Sequence, residues 1–205
     1  MSNFIFPELK IVFIHIPKCG GRSLREKTLS SYKKLGPFFG EIPTEYNDYL
    51  KFTIVRNPYT RFISAFNMFK YGTDRFKATE PNKDMLFFLD RIENKKLKYG
   101  PGPKETIKHH FLPQTHLYNC YHLADKVLRF ENYSKEVKDF LVSIGIESPE
   151  LIKSNVSNKQ KEYRITGNIL SRVNSYYESD FKELNYPIFD KGVIVQGNKC
   201  YEYTG

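Results

Sequence analysis

Two rhythms of apolar and polar positions run along this chain. Residues 11–16, Ile-Val-Phe-Ile-His-Ile, are apolar at five of six positions and stop at Pro17, which predicts a buried strand. Residues 24–35 are amphipathic and predict a helix. Residues 36–43, punctuated by Gly36, Pro37, Gly40 and Pro43, read as loop or short strand. A second apolar run at 51–56, closed by Asn57-Pro58, predicts another strand. From Tyr59 onward, Phe62, Ile63, Phe66 and Phe69 recur at helical spacing. Pro81-Asn82 then introduces a helix over about residues 83–97, with Met85, Leu86, Phe88, Leu89 and Ile92 on its inward face.

The clearest break in periodicity is Tyr-Gly-Pro-Gly-Pro at 99–103, expected as an exposed loop. Beyond it, residues 126–130 predict a third strand and 134–144 a helix stopped at Gly145. Residues 169–184 predict one last long helix, and 193–195 a terminal strand or sheet edge. Strands alternating with helical crossovers imply an α/β fold, a parallel sheet wrapped by helices. No repeat, low-complexity tract or dividing linker interrupts the 205 residues, so a single domain over 1–205 is expected.

Composition narrows the partners only partly. The chain carries 32 Lys and Arg against 23 Asp and Glu, a net +9. Such a surface attracts anions of every kind and does not choose among nucleotides, glycans, nucleic acids and membranes. The 15 tyrosines and 17 phenylalanines fall at strand or helical spacing rather than between basic residues, so most are expected in the core. Cys19, Cys120 and Cys200 are an odd number without metal spacing, which suggests free thiols of a reducing compartment. His109 and His110 are adjacent rather than a helical turn apart, so no metal site is expected. Residues 1–10 lack a signal-peptide pattern and no run reaches membrane-spanning length, so a cytoplasmic protein without a membrane segment is expected.

The candidate chemistry begins where the first strand ends. Pro17-Lys18-Cys19-Gly20-Gly21-Arg22-Ser23 joins a buried strand to a helix. A helix start offers N–H groups and a positive dipole end to an anion, Lys18 adds a mobile charge, and Gly20 and Gly21 admit close approach. A phosphate or sulfate ester is the expected ligand. The lysine precedes the glycines, unlike the Walker order, which argues against an ordinary ATPase or GTPase. The bland alternative is a strand–turn–helix with a solvent-facing lysine. Cys19 could be a reactive thiol beside Lys18, or simply a small residue that fits a tight loop.

The second constellation is Arg56-Asn57-Pro58-Tyr59-Thr60-Arg61-Phe62-Ile63-Ser64-Ala65-Phe66. Arg56 closes a strand at the carboxyl edge, where α/β proteins place ligands. Its guanidinium fork and the Ser64 hydroxyl suit a phosphomonoester. Arg61 could contribute or could be a surface residue of its helix.

These two segments resemble the 5′-phosphosulfate loop and the 3′-phosphate motif of sulfotransferases. Together they resemble the carbohydrate branch that includes the chondroitin and heparan 2-O enzymes. Three further stretches are similar to that branch: His110-Phe111-Leu112-Pro113-Gln114, Asp125 to Glu131, and Tyr176 to Phe181. The resemblance implies a P-loop-like three-layer α/β/α fold with a central parallel sheet. It implies 3′-phosphoadenylyl sulfate (PAPS) as donor, a hydroxyl acceptor that is a glycan or other alcohol, and no metal. Lys18, Cys19, Gly20, Gly21, Arg22 and Ser23 would form the phosphosulfate loop, and Arg56 and Ser64 would hold the 3′-phosphate. The family often has threonine where Arg22 stands, so Arg22 either binds phosphate or points to the acceptor. Ser157 and Lys159, on a polar stretch where such enzymes close over the nucleotide, are further donor contacts or a solvated loop. For the general base, Glu41 and His110 compete, with Glu41 ranked first. Two other readings remain: a nucleotide-dependent phosphotransferase, and a non-catalytic polyanion-binding module whose affinity would fall steeply with salt.

Overall fold

The computed structural model describes residues 2–72, 77–94, 105–147, 149–151 and 161–203. In chain order, β1 (Ser2–Phe6) and β2 (Ile11–Ile14) lead to α1 (Gly21–Ser23), then β3 (Leu35–Phe39) and β4 (Leu50–Val55). Helices α2 (Pro58–Tyr71), α3 (Met85–Glu93) and α4 (Glu105–Phe111) follow. After β5 (Lys126–Arg129) and α5 (Tyr133–Ser143) come β6 (Glu162–Ile165), α6 (Gly167–Tyr176), α7 (Glu178–Glu183), β7 (Val193–Gln196) and β8 (Lys199–Glu202). The chain divides into two compact units, residues 1–56 with 114–154 and residues 57–113 with 155–205. Among the described residues, no helix is long and apolar enough to cross a membrane.

The first unit is built on a five-stranded sheet of order β3-β1-β2-β4-β5. Strands β2, β4 and β5 are parallel, as the alternating pattern requires. The expectation of a fully parallel sheet fails at β1, which runs antiparallel to both β2 and β3. The reason is local. Pro7–Leu9 form one 3-10 turn, and Lys10 takes a left-handed conformation at φ 50, so Ser2–Phe6 folds straight back onto β2. So short a connection can only make an antiparallel pair; a parallel one needs a crossover. All four residues of β2 are buried, as befits a strand covered on both faces. Ile5, Val12, Ile14 and Cys120 pack together, with Leu35 and Phe38 of β3 against them. The Phe13 and Phe52 rings stack at 5.0 Å, and Phe140 of α5 meets Phe52 at 4.4 Å. Burying each of these rings is worth roughly 1.5–3 kcal/mol.

The helix expected over 24–35 is shorter and starts earlier. The chain is helical from Gly21, passes through a π turn at Leu24–Thr28, and is closed by Leu29 N–H on the Leu24 carbonyl at 2.8 Å. Residues 35–39 leave the helical register and become edge strand β3, pinned by β1.

The second unit packs helices and a small antiparallel sheet, β6-β7-β8, around an aromatic core. Tyr59, Phe62, Phe66 and Phe69 of α2 meet Phe88 of α3, Phe111 of α4 and Tyr177 between α6 and α7. Helix α2 starts where Asn57 Oδ1 accepts the Tyr59 N–H at 3.0 Å, with Pro58 at the first helical position. Asp84 caps α3 in the same way through the Phe87 N–H at 2.9 Å. The single last helix expected over 169–184 is broken at Tyr177, whose hydroxyl donates to the Phe111 carbonyl at 2.7 Å. The strand at 193–195 forms, but in this separate sheet rather than beside β4 or β5. The loop expected at 99–103 lies outside the described residues.

Candidate functional site

Strands β3 and β2 point the same way, because each is antiparallel to β1, and β4 and β5 run parallel to β2. Their carboxyl ends therefore share one edge of the sheet. Four chemically distinct segments leave from it: Glu41 after β3, the Lys18 loop after β2, Arg56 after β4 and Phe130 after β5. The strand order puts Glu41 two strand spacings from the Lys18 loop, about 10 Å across the sheet.

The Lys18 loop is tight and held from several sides. Lys18 itself adopts φ 69, a left-handed conformation costly for a residue with a side chain and characteristic of functional loops. Gly20 follows at φ 81, and a Cβ there would lie 2.8 Å from Phe130 and 2.9 Å from Tyr133. Gly21 opens α1 with no room for a methyl group: a Cβ would meet the His15 ring at 2.3 Å and the Phe13 ring at 2.7 Å. Ser23 is buried, 7 % exposed. Arg22 is half-buried and turned along the helix, its Nε 3.0 Å from Glu26 Oε2 in an i,i+4 ion pair, with Arg25 on the other carboxylate oxygen at 3.2 Å.

Arg56 is the loop's neighbour. It is 5 % exposed, and one guanidinium nitrogen donates to the Lys18 carbonyl at 3.1 Å. The Phe130 ring lies under the guanidinium at 4.5 Å, a cation–π contact that keeps the fork planar against the wall of the site. Sequence reasoning did not find Gln114 as a partner, although the stretch that ends on it was singled out. Its side-chain oxygen accepts the Arg56 N–H at 2.8 Å and the Cys19 thiol at 3.3 Å, while its side-chain nitrogen donates to the Arg56 carbonyl at 2.8 Å. Cys19 is thus a buried packing and hydrogen-bonding residue of the loop, also donating to the Pro17 carbonyl at 3.6 Å. None of the three cysteines is in a disulfide.

Glu41 is exposed, and its backbone is fixed from below: Asn3 Nδ2 donates to the Glu41 carbonyl at 2.7 Å and to Cys120 Sγ at 3.4 Å. Asn3 is 1 % exposed and carried no sequence signal. Burial pushes the Cys120 thiol up, so it stays protonated. Burial likewise pushes the Tyr133 phenol up to about 12, beside Gly20.

Lys18, Cys19, Gly20, Gly21, Arg22, Ser23, Glu41 and Arg56 thus belong to one unit. Ser64 and His110 belong to the other. Ser64 is half-buried about two turns into α2. His110 sits near the end of α4, its ring edge-on to Phe69 at 5.4 Å and its carbonyl accepting from Arg61 at 3.2 Å. Arg61 is fully buried, so it is not a surface residue of its helix. His109 is neutral: burial first, then the nearby His110 and Arg61, lower its pKa to about 2. Ser157 and Lys159 lie outside the described residues. Among the described residues, no three His, Cys, Asp or Glu side chains gather as a metal site.

A cationic loop and a buried arginine are joined by a hydrogen bond at the carboxyl edge of a largely parallel sheet, an arrangement chemically suited to an anionic group. The donor set, an amine, a guanidinium and a buried hydroxyl, fits phosphate or sulfate oxygens. No curated protein and no solved structure matches the chain. A family model described as "Sulfotransferase family" matches residues 23–187, which takes in the Arg56 segment and begins at the last residue of the Lys18 loop. That match covers most of both units, and the chain belongs to the sulfotransferase family.

Proposed function

We propose that this sulfotransferase takes its sulfuryl group from 3′-phosphoadenylyl sulfate and passes it to a hydroxyl, that of a carbohydrate, by in-line displacement. The observation that carries the reading is the hydrogen bond between the Arg56 guanidinium and the Lys18 carbonyl, which sets the arginine fork against the backbone of the Lys18 loop. One nucleotide bearing phosphate at both ends of its ribose can engage the two together. The resemblance to the chondroitin and heparan 2-O branch supports the glycan acceptor. The proposed catalytic domain spans residues 1–205, with the P-loop-like fold that the family resemblance implies.

In this mechanism Lys18 and Ser23, with the amides of Gly20, Gly21 and Arg22, hold the 5′-phosphosulfate. Arg56 and Ser64 hold the 3′-phosphate, and Ser157 and Lys159 are further candidate donor contacts. The acceptor oxygen forms a bond to sulfur as the bond from sulfur to the 5′-phosphate oxygen breaks. The electron pair goes to that phosphate oxygen, where Lys18 offsets the charge, and 3′,5′-ADP departs. Glu41, exposed at the same sheet edge, takes the acceptor proton; His110 is the alternative base. In this proposal no metal is called for, because Lys18 offsets the charge that develops on the leaving phosphate oxygen.

Thermal stabilisation by 3′,5′-ADP, compared with ATP and ADP, tests the donor. Selective stabilisation by 3′,5′-ADP is expected; preference for ATP would replace this reading with a phosphotransferase. Transfer from labelled donor across a panel of glycans and small alcohols then identifies the acceptor class. Lys18→Ala is expected to abolish transfer, and Glu41→Gln to suppress turnover while leaving 3′,5′-ADP binding intact.

A further inference from the structure

We propose that Gln114 is a positioning residue of the donor site, a side-chain clamp that fixes the Lys18 loop and Arg56 in one geometry. The inference rests on the donor reading above for its functional meaning, and on the geometry alone for the clamp. Gln114 is completely buried. A glutamine amide presents an acceptor and a donor as a peptide group does. Here the two close a ring on both backbone groups of one residue, accepting from Arg56 N–H and donating to Arg56 C=O, each at 2.8 Å. That is the hydrogen-bonded pairing a neighbouring strand would make, supplied at the point where β4 ends.

The same side-chain oxygen also accepts a hydrogen bond from the Cys19 thiol at 3.3 Å. Arg56 in turn donates to the carbonyl of Lys18, the residue before Cys19. The loop is therefore tied at two consecutive residues, once through the arginine and once through the glutamine that holds the arginine. Asn119, itself buried, fixes the clamp from behind by donating to the Gln114 carbonyl at 3.3 Å. With the backbone of Arg56 held on both sides, its guanidinium swings from a fixed base onto Phe130, and the left-handed Lys18 is held in place. Without the amide, loop and strand end would move independently, and a doubly anionic nucleotide would have to order them on binding.

The test compares Gln114→Met, similar in length and unable to make the ring, with the wild-type protein. Calorimetric titration with 3′,5′-ADP gives the dissociation constant and, from the stoichiometry, the folded fraction. Hydrogen exchange by mass spectrometry follows peptides spanning residues 15–23 and 52–56. The clamp predicts an affinity at least tenfold weaker at unchanged stoichiometry per folded molecule, with faster exchange confined to those two segments. A role in folding alone would lower the stoichiometry and leave the affinity of the folded molecules as it was. If Gln114→Met does not fold, Gln114→Glu keeps the shape and the acceptor but sets a carboxylate oxygen against the Arg56 carbonyl; the same affinity loss is expected. Failure of the wild-type protein to bind 3′,5′-ADP would sink the donor reading, while locally faster exchange would still uphold the clamp. Affinity within twofold of wild type, or unchanged exchange in both segments, would overturn it.

Discussion

At residue scale, Arg56 shows how burial and function conflict. A guanidinium that is 5 % exposed has lost most of its hydration and is compensated by the Lys18 carbonyl and the Phe130 face. An arriving phosphate meets a fork already dehydrated and aimed, so little ordering remains to be done on binding. Arg56→Ala is therefore expected to weaken 3′,5′-ADP binding by about 2–4 kcal/mol, measured by titration. Arg56→Lys restores the charge but neither the fork nor the stack, so it should recover only part of that loss. Unchanged affinity in Arg56→Ala would remove it from the donor site. Gly21 belongs to the same scale with a different cause. A methyl group there would enter the His15 and Phe13 rings, so Gly21→Ala is expected to cost about 1–3 kcal/mol of stability by overpacking, read from the denaturation midpoint.

At the scale of elements, caps and strand ends decide what the sequence could disclose. Asn57 does two things at once: it ends the β4 segment and caps α2 through the Tyr59 and Thr60 N–H groups, at 3.0 and 3.4 Å. Asn57→Ala should destabilise the protein by about 1 kcal/mol, and Asn57→Asp should restore most of it. Asn57-Pro58 announces that boundary in the sequence because capping and proline chemistry are local. β2, β4, β5 and α5 were legible for a similar reason, since periodicity reports burial one element at a time. β1 was not legible, and β3 only as loop or short strand over 36–43: the reversal at Lys10 that lays Ser2–Phe6 on β2 is local, but the cover of its other edge by β3 is a tertiary fact. The helix over 169–184 is interrupted at Tyr177, whose backbone leaves the helical range at φ −106 and ψ 19 and whose hydroxyl is bound to Phe111, a partner 66 residues away that no local pattern reveals. In the site, Lys18 and Arg56 stood out through residue type and position at strand ends. Gln114 and Asn3 act through side-chain bonds to backbone groups far along the chain, and nothing in their own neighbourhoods marks that work.

For the whole molecule, the balance of charge and burial sets the response to acid. The chain carries a net +9 at neutral pH, and every histidine that protonates adds to the repulsion. His109 differs from an exposed histidine because burial lowers its folded pKa to about 2, whereas in the unfolded chain it titrates near 6.5. The folded pKa lies below the unfolded one, so the unfolded state binds the extra proton in the interval between them. Stability from this residue is complete above about pH 6.5 and is lost as pH falls toward 2. One proton at about 1.4 kcal/mol per pH unit gives a loss of about 2 kcal/mol by pH 5. General charge repulsion acts on the wild-type protein and on His109→Leu alike, so the difference between their stability curves isolates this group. Urea unfolding followed by circular dichroism is the suitable probe, since the chain has no tryptophan. Between pH 7 and 5 the wild-type protein should lose about 2 kcal/mol more than His109→Leu. Parallel curves over that range would mean that His109 takes up its proton within the folded protein, and any acid sensitivity would then come from other titrating groups.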